Sequence, residues 1–143
     1  MFTAVVSTMW TRFARMAALP LAAAVGFAAP ALGQQGLAVL YQVEGGSWIL
    51  RDRMTRAPVG QFCIRDGRKF IQLRHPASLC DQLVVSDAPG DITVQYTCRG
   101  RGYGRTHIRL ETGRLVQIES QGIADGLPFD FAAEGRRVGD CAS

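Results

Sequence analysis

Residues 80–98, CDQLVVSDAPGDITVQYTC, have the pattern of a β-hairpin bounded by two cysteines. In the second half of this stretch, apolar residues at positions 92, 94, 96 and 98 alternate with polar ones, which is the period of a strand with one buried face. Between the two β-rich runs, residues 87–91 contain a proline and a glycine that favour a turn. We therefore predict two antiparallel strands joined by a tight loop.

The register of this hairpin follows from the length of its loop. A three-residue loop at 88–90 sets Asp87 opposite Asp91. Counting outward along both strands then brings Cys80 opposite Cys98. Directly opposed residues of antiparallel strands are close enough for a disulfide, so this register predicts a Cys80–Cys98 bond.

The remaining cysteines, Cys63 and Cys141, then form a second disulfide. An even number of cysteines in a small exported domain is typical of a disulfide framework. A structural zinc site needs ligands in close pairs such as C-x-x-C, and intervals of 17, 18 and 43 residues provide none. In the loop-entropy description the two bonds stabilise the fold by roughly 3 and 4–5 kcal/mol.

The other segments also favour a β-rich domain. Strand patterns occur in SWILRDR (47–53) and PVGQFCIR (58–65), and again after residue 104. Residues 36–44 fit either a short helix or a strand, whereas Asp66 is placed to cap a short helix before Pro76. We predict a mainly β (α+β) fold: a single antiparallel meander of about six or seven strands, forming a curled sheet or half-barrel with one or two short helices and two disulfides.

Two further turns are predicted along the meander. Glu111–Gly113 has the composition of a three-residue loop that ends in glycine, which sets Arg105 opposite Glu119. Asp125–Gly126 begins another tight turn, since Asp-Gly is typical of hairpins.

The first 33 residues differ from the rest of the chain. They contain no acidic residue, and two arginines precede an alanine-rich apolar run that ends in small residues, as in a secretory signal peptide. A membrane anchor needs ~20 predominantly apolar residues, and this run is shorter and interrupted by prolines. Transit peptides spread their charges along the segment, whereas these arginines stop where the apolar run begins. We predict cleavage after residue 33 and initiation at Met1 or Met9.

The removal of this leader leaves one domain over residues 34–143, which we expect to be periplasmic and without stable membrane insertion. The chain has 16 Lys and Arg against 12 Asp and Glu, with two arginines in the leader, so the domain carries a net charge of about +2. Nucleic-acid binding needs a strongly basic surface and stacking aromatic residues. The charge and the compartment therefore argue against nucleic acid as a partner.

The arginine- and glycine-rich stretch after Cys98 is predicted to connect two strands. It contains Arg99, Arg101, Tyr103 and Arg105, and its glycines supply turn geometry. These four residues are also the candidate contact loop, should the domain present a basic loop to a partner.

The residues show no constellation for catalysis. Only two histidines occur, His75 and His107, and neither has neighbours at metal-ligand spacing, so we expect both to be ordinary surface or helix-end residues. G-x-S-x-G and phosphate-binding glycine loops are absent from the sequence. We therefore expect a protein that is not an enzyme, with no cofactor and no metal.

Several segments together resemble a family of small exported proteobacterial proteins, catalogued as a domain of unknown function with the number three-six-one-seven. The resemblance rests on GGSWILRDR (45–53), VQYTCRGRGYGRTHIRLET (94–112), RRVGDC (136–141) and the four cysteines, and it covers about Gly45 to Cys141. It implies periplasmic residence and a β-rich disulfide-bonded domain, with no assigned activity and no catalytic residue.

These observations lead to two hypotheses about function. The first is a non-enzymatic periplasmic module whose curled sheet binds a small apolar ligand or an envelope protein. The alternative is an inhibitor of an envelope hydrolase such as lysozyme, which inserts the stretch GRGYGR (100–105) into a catalytic cleft.

Overall fold

The computed structural model describes residues 37–142. The predicted signal peptide, both candidate initiators and the first residues of the predicted domain therefore lie outside the described residues. Two single-turn 3-10 helices and seven strands make up the described part: helices at Ala38–Gln42 and Gly67–Phe70, and strands β1 (Gly46–Asp52), β2 (Pro58–Ile64), β3 (Cys80–Ala88), β4 (Asp91–Cys98), β5 (Gly102–Thr112), β6 (Leu115–Ala124) and β7 (Leu127–Gly139).

All seven strands form one antiparallel sheet in the order β2-β1-β7-β6-β5-β4-β3. Strands β3 to β7 are a meander in which each strand pairs with the next, and the β1–β2 hairpin joins this meander through β1 and β7. Strands β2 and β3 stand at the two edges, so the sheet is open. The predicted β-rich meander with short helices and two disulfides is confirmed.

One face of the sheet packs against the two helical segments and forms the core. Trp48 of β1 is fully buried and meets the ring of Phe70 edge-on at a centroid distance of 5.3 Å. Its indole N–H donates to the carbonyl oxygen of Glu44 at 3.0 Å. The other buried apolar side chains of this inner face are Leu50, Ile92, Val94, Tyr96, Ile108, Val116 and Ile118, with Leu40 and Ile71 above them.

Both predicted disulfides are present. Cys80 lies directly opposite Cys98 on β3 and β4, with their Cα atoms 4.2 Å apart. Cys63 of β2 is bonded to Cys141 over a separation of 78 residues. The described residues contain no free cysteine. The second bond ties one edge of the sheet to the end of the chain.

The loop of the first hairpin differs from the prediction. Ala88 pairs with Asp91, so the turn consists of the two residues Pro89 and Gly90, the latter at φ 78°. The residue before a proline favours an extended conformation, which keeps Ala88 in the strand. A bulge at Val85 adds one residue to β3 and restores the register that brings the cysteines together.

The hairpin between β5 and β6 has a different register from the predicted one. Arg105 lies opposite Gln121 and not opposite Glu119. The turn is formed by residues 113–114, and Glu111 forms a one-residue bulge; together they shift the pairing by two residues from the predicted register. The carbonyl oxygen of Gly113 accepts a hydrogen bond of 2.8 Å from the backbone of residue 44, so contact with a distant segment fixes this turn.

The helical segments follow the sequence closely. Residues 36–44, which fitted a helix or a strand, contain the 3-10 helix Ala38–Gln42. The carboxylate of Asp66 accepts a hydrogen bond from the backbone N–H of Arg68 and caps the second helix as predicted. Together these segments cover the inner face and leave the opposite face of the central strands uncovered.

Candidate functional site

The outer face of the central strands carries polar side chains in two rows that cross the sheet. On β5, Thr106 and Ile108 are buried, whereas Arg105 and His107 point to the other face because side chains alternate along a strand. Cross-strand pairing then defines an arginine row of Gln95, Arg105, Gln121 and Asp130, and beside it a histidine row of Thr93, His107, Glu119 and Ala132.

The histidine row and all of the arginine row except Gln95 line a depression of about 500 Å³ that is rimmed by Arg53. A second depression of about 390 Å³ adjoins it and shares Arg105, Gln121 and Asp130. We refer to the two depressions together as the outer-face trough. Each lies in the size range of small-molecule pockets, about 300–1,000 Å³, and the shared residues mark the middle of the trough.

Two polar contacts orient the side chains at the histidine end of the trough. Arg53 contacts the carboxylate of Glu119 at 2.8 Å. The Nε2 atom of His107 lies 2.7 Å from a carboxylate oxygen of Asp91. All four of these side chains are more than a third exposed. Exposed pairs contribute little to stability, so their main effect is to orient the side chains.

Two charged side chains in the middle of the trough have no such partner. Neither Arg105 nor Asp130 forms an ion pair or a side-chain hydrogen bond with another described residue. The two residues stand on β5 and β7, on either side of Gln121. Neighbouring strands lie about 4.8 Å apart, so the two backbones are separated by roughly 10 Å.

The far end of the trough is formed by a pair of glycines and an aromatic ring. Gly104 and Gly122 lie opposite each other, and both line the second depression. Tyr103 lines the same depression and is 51% exposed. Phe129 also borders it, and the guanidinium of Arg74 lies 5.7 Å from the centre of the Phe129 ring.

The structure divides the predicted contact residues between two places. Arg99 and Arg101 lie in the turn at 99–101 that connects β4 and β5, as predicted, whereas Tyr103 and Arg105 lie on β5 and line the trough. Arg101 is bound to the carboxylate of Asp125 in the neighbouring turn through two hydrogen bonds of 2.6 and 3.3 Å. That hydrogen-bonded contact lowers the pKa of Asp125 and raises the pKa of Arg101.

The two histidines lie in different environments. His75, expected at the surface or at a helix end, is only 2% exposed. Its Nε2 atom lies 3.1 Å from the carbonyl oxygen of Arg101, and its Nδ1 atom lies 3.3 Å from the hydroxyl of Tyr96. Burial raises the pKa of Tyr96. His75 therefore joins the helical segment to the 99–101 turn, while His107 faces the trough.

Sequence reasoning missed most of the trough. Gln95, Gln121 and Asp130 were not singled out, because each is an ordinary polar residue on the exposed side of a strand. Alternation along the strands shows that these side chains point outward. Their meeting in one row depends on three registers, one of which is set by the bulge at Glu111.

The described residues limit which other sites can be assigned. Within residues 37–142 no group of three or more His, Cys, Asp or Glu side chains is arranged to hold a metal ion. None of the helices in that range is long and apolar enough to cross a membrane. Comparisons with protein-family models, curated proteins and solved structures find no match to this chain.

Proposed function

We propose that this protein is an exported, non-enzymatic binding module whose outer-face trough binds a small polar ligand that carries both a carboxylate and an amino group. A short peptide with free termini has this chemistry. The observation that carries the proposal is the placement of Arg105 and Asp130 on either side of Gln121, as opposite charges without a partner among the described residues.

The groups in the trough suit such a ligand. A guanidinium binds a carboxylate through two parallel hydrogen bonds, which gives Arg105 the role of carboxylate ligand. Asp130 accepts hydrogen bonds from an ammonium group. Between them, the amide of Gln121 offers a donor and an acceptor, which matches the peptide group, and the amide of Gln95 offers the same groups on the other side of Arg105. Tyr103 provides an apolar surface at one end.

Because polar groups line the trough, we propose a polar ligand and not the apolar ligand that the sequence suggested. An apolar ligand would remove the water from Arg105 and Asp130 without replacing its hydrogen bonds, which is costly for charged groups. The inhibitor alternative has less support, because one of the two arginines in the 99–101 turn is already bound by Asp125.

Two observations support a non-enzymatic module outside the cytoplasm. Disulfides persist in oxidising compartments and are rare in the cytosol, and this domain has two of them. The hydroxyl of Ser120, which borders the trough, is hydrogen-bonded to Thr106 at 2.7 Å and is directed into the core. The hydroxyl of Ser120 is therefore engaged in the core and is not available to His107. As part of this proposal, the domain resides in the periplasm and is a member of the family that it resembles.

The test is isothermal titration of the purified domain with free amino acids and with peptides of two to about five residues, each also prepared with an amidated C-terminus or an acetylated N-terminus. Loss of one charge-assisted hydrogen bond costs about 1.5–3 kcal/mol, or roughly 10- to 100-fold in Kd. We expect Arg105→Gln to weaken binding by this factor and to abolish the discrimination against amidated peptides. Asp130→Asn should do the same for acetylated peptides.

Arg99→Gln is the matched control, because it removes an exposed arginine of the neighbouring turn without changing the trough. We expect it to bind as the unmodified protein does. Equal affinity for free and amidated peptides, or equal binding by the Arg105→Gln variant, would contradict the proposal.

A further inference from the structure

The edge strand β3 is exposed along almost its whole length. It pairs only with β4, and every residue from Asp81 to Ala88 is exposed. Three consecutive apolar residues lie in its middle: Leu83 is 64% exposed, Val84 37% and Val85 43%. Edge strands present unpaired backbone groups that pair readily with another strand. A long edge with an apolar centre is therefore an interaction surface.

The disulfide shows which backbone groups of β3 point away from the sheet. The Cα atoms of Cys80 and Cys98 are 4.2 Å apart, which is the spacing of a pair that does not exchange backbone hydrogen bonds. Such pairs alternate with hydrogen-bonded ones along the strand, so Gln82 and Val84 are also of this kind. Their N–H and C=O groups consequently point outward from the free edge.

We propose that β3 pairs with β3 of a second copy of this chain, antiparallel and about a two-fold axis at Leu83. In this register Gln82 of each copy exchanges backbone hydrogen bonds with Val84 of the other. The two Leu83 side chains face each other across the axis, and the bulge at Val85 ends the regular pairing beyond Val84. The result is a continuous sheet with two copies of β3 at its centre.

The distribution of charge along β3 is compatible with a second copy in this register and argues against a neighbouring register. A neighbouring two-fold register, centred on Val84, brings Asp81 of one copy close to Asp87 of the other, and like charges on opposed strands are destabilising. The register centred on Leu83 opposes the two leucines and sets no carboxylate against another. A two-fold contact is also closed, since each β3 edge is covered by its partner.

The other edge is poorly suited to the same contact. Strand β2 begins with Pro58, which lacks an N–H group, and Cys63 near its other end is bonded to Cys141. We therefore expect association to end at two copies. The trough is on the outer face of β4 to β7 and stays accessible in the dimer, so this inference does not depend on the proposed ligand.

Cysteine crosslinking tests the register. The thiols introduced by Leu83→Cys would face each other as an opposed pair whose Cα atoms are about 4.5 Å apart, within reach of a disulfide. We expect mild oxidation to give a covalent dimer whose new bond links position 83 of both copies in peptide mass mapping. Val59→Cys is the matched control, since it places a thiol at an exposed apolar position of the β2 edge, and it should stay monomeric.

Sedimentation tests the association itself. We expect the unmodified domain to dimerise reversibly and Leu83→Lys to raise the dimer Kd by about tenfold or more, because it sets two ammonium groups directly opposite each other. Val84→Pro removes an outward N–H and should have the same effect. Val59→Lys should leave the Kd unchanged. A domain that stays monomeric up to about 1 mM, or a dimer insensitive to Leu83→Lys, would overturn the proposal.

Discussion

The phenol of Tyr96 lies directly against the backbone of Gly104, its cross-strand partner on β5. A methyl group at position 104 would overlap the ring and its hydroxyl oxygen. Tyr96 is only 1% exposed and packs on His75 at a centroid distance of 5.4 Å, so the ring has no free space to enter. Gly104 therefore allows Tyr96 to seal the core beneath the trough.

We expect Gly104→Ala to lower the free energy of unfolding by about 1–3 kcal/mol, the usual cost of forcing extra volume into a packed core. Denaturant unfolding followed by tryptophan fluorescence measures this, because Trp48 is buried. Gly139→Ala is the control: an added methyl group there meets no atom within 4 Å. If both variants unfold at the same denaturant concentration, the close approach of Tyr96 is not a constraint on the fold.

The two disulfides should contribute unequally to stability. The Cys63–Cys141 bond closes a separation of 78 residues and the Cys80–Cys98 bond one of 18. In the loop-entropy description, replacing the first pair by alanine costs about 4–5 kcal/mol and replacing the second about 3 kcal/mol. Thermal unfolding of the two double variants checks this order. Unoxidised thiols in the purified protein, or an unchanged Tm after reduction, would contradict the disulfide framework.

A buried hydroxyl attaches the segment after the second helix to the sheet. Thr106 is fully buried, and its hydroxyl donates to the carbonyl oxygen of Ile71 at 2.6 Å. Thr106→Val keeps the shape of the side chain but leaves that carbonyl without its donor, which costs about 1–3 kcal/mol. Hydrogen exchange should show faster opening around residues 67–75, with the sheet unaffected. Thr97→Val, on an exposed position of β4, is the control and should have little effect.

The hairpin from 80 to 98 could be predicted from sequence because its information is local. Apolar alternation, a Pro-Gly turn and two terminal cysteines all specify the same pairing. The predicted length of its loop was nevertheless wrong, since counting residues outward from the turn does not reveal the bulge at Val85. The predicted register survived because the shorter turn and the extra residue compensate each other.

The trough could not be predicted in the same way. Arg105 and Asp130 lie in the same row only because of the registers in which β5 pairs with β6 and β6 pairs with β7. The register of β5 and β6 includes a bulge at Glu111 and a turn that docks on the backbone of Glu44, some 70 residues earlier in the chain. Contacts over such a separation leave no signal in the local sequence pattern.

Acid should destabilise the domain partly through Glu134 on β7. Its carboxylate accepts a hydrogen bond of 2.8 Å from Arg136 and one of 3.2 Å from Gln117, and these bonds, together with the nearby charge of Arg56, lower its pKa below the ordinary 4.5. A carboxyl whose pKa is lower in the folded than in the unfolded state stabilises the fold at pH values above its pKa in the unfolded state. This contribution is lost as the pH falls below about 4.5 toward the folded value.

We expect Glu134→Gln to be less stable than the unmodified domain at neutral pH and to lose less stability on acidification. Denaturant unfolding at pH values on either side of 4.5 measures both effects. Arg136→Gln removes the strongest of the hydrogen bonds and should change the pH dependence in the same direction. Identical pH dependence in all three proteins would show that the hydrogen bonds of Glu134 do not favour its ionised form, because a depressed pKa and an unchanged stability profile are incompatible by linkage.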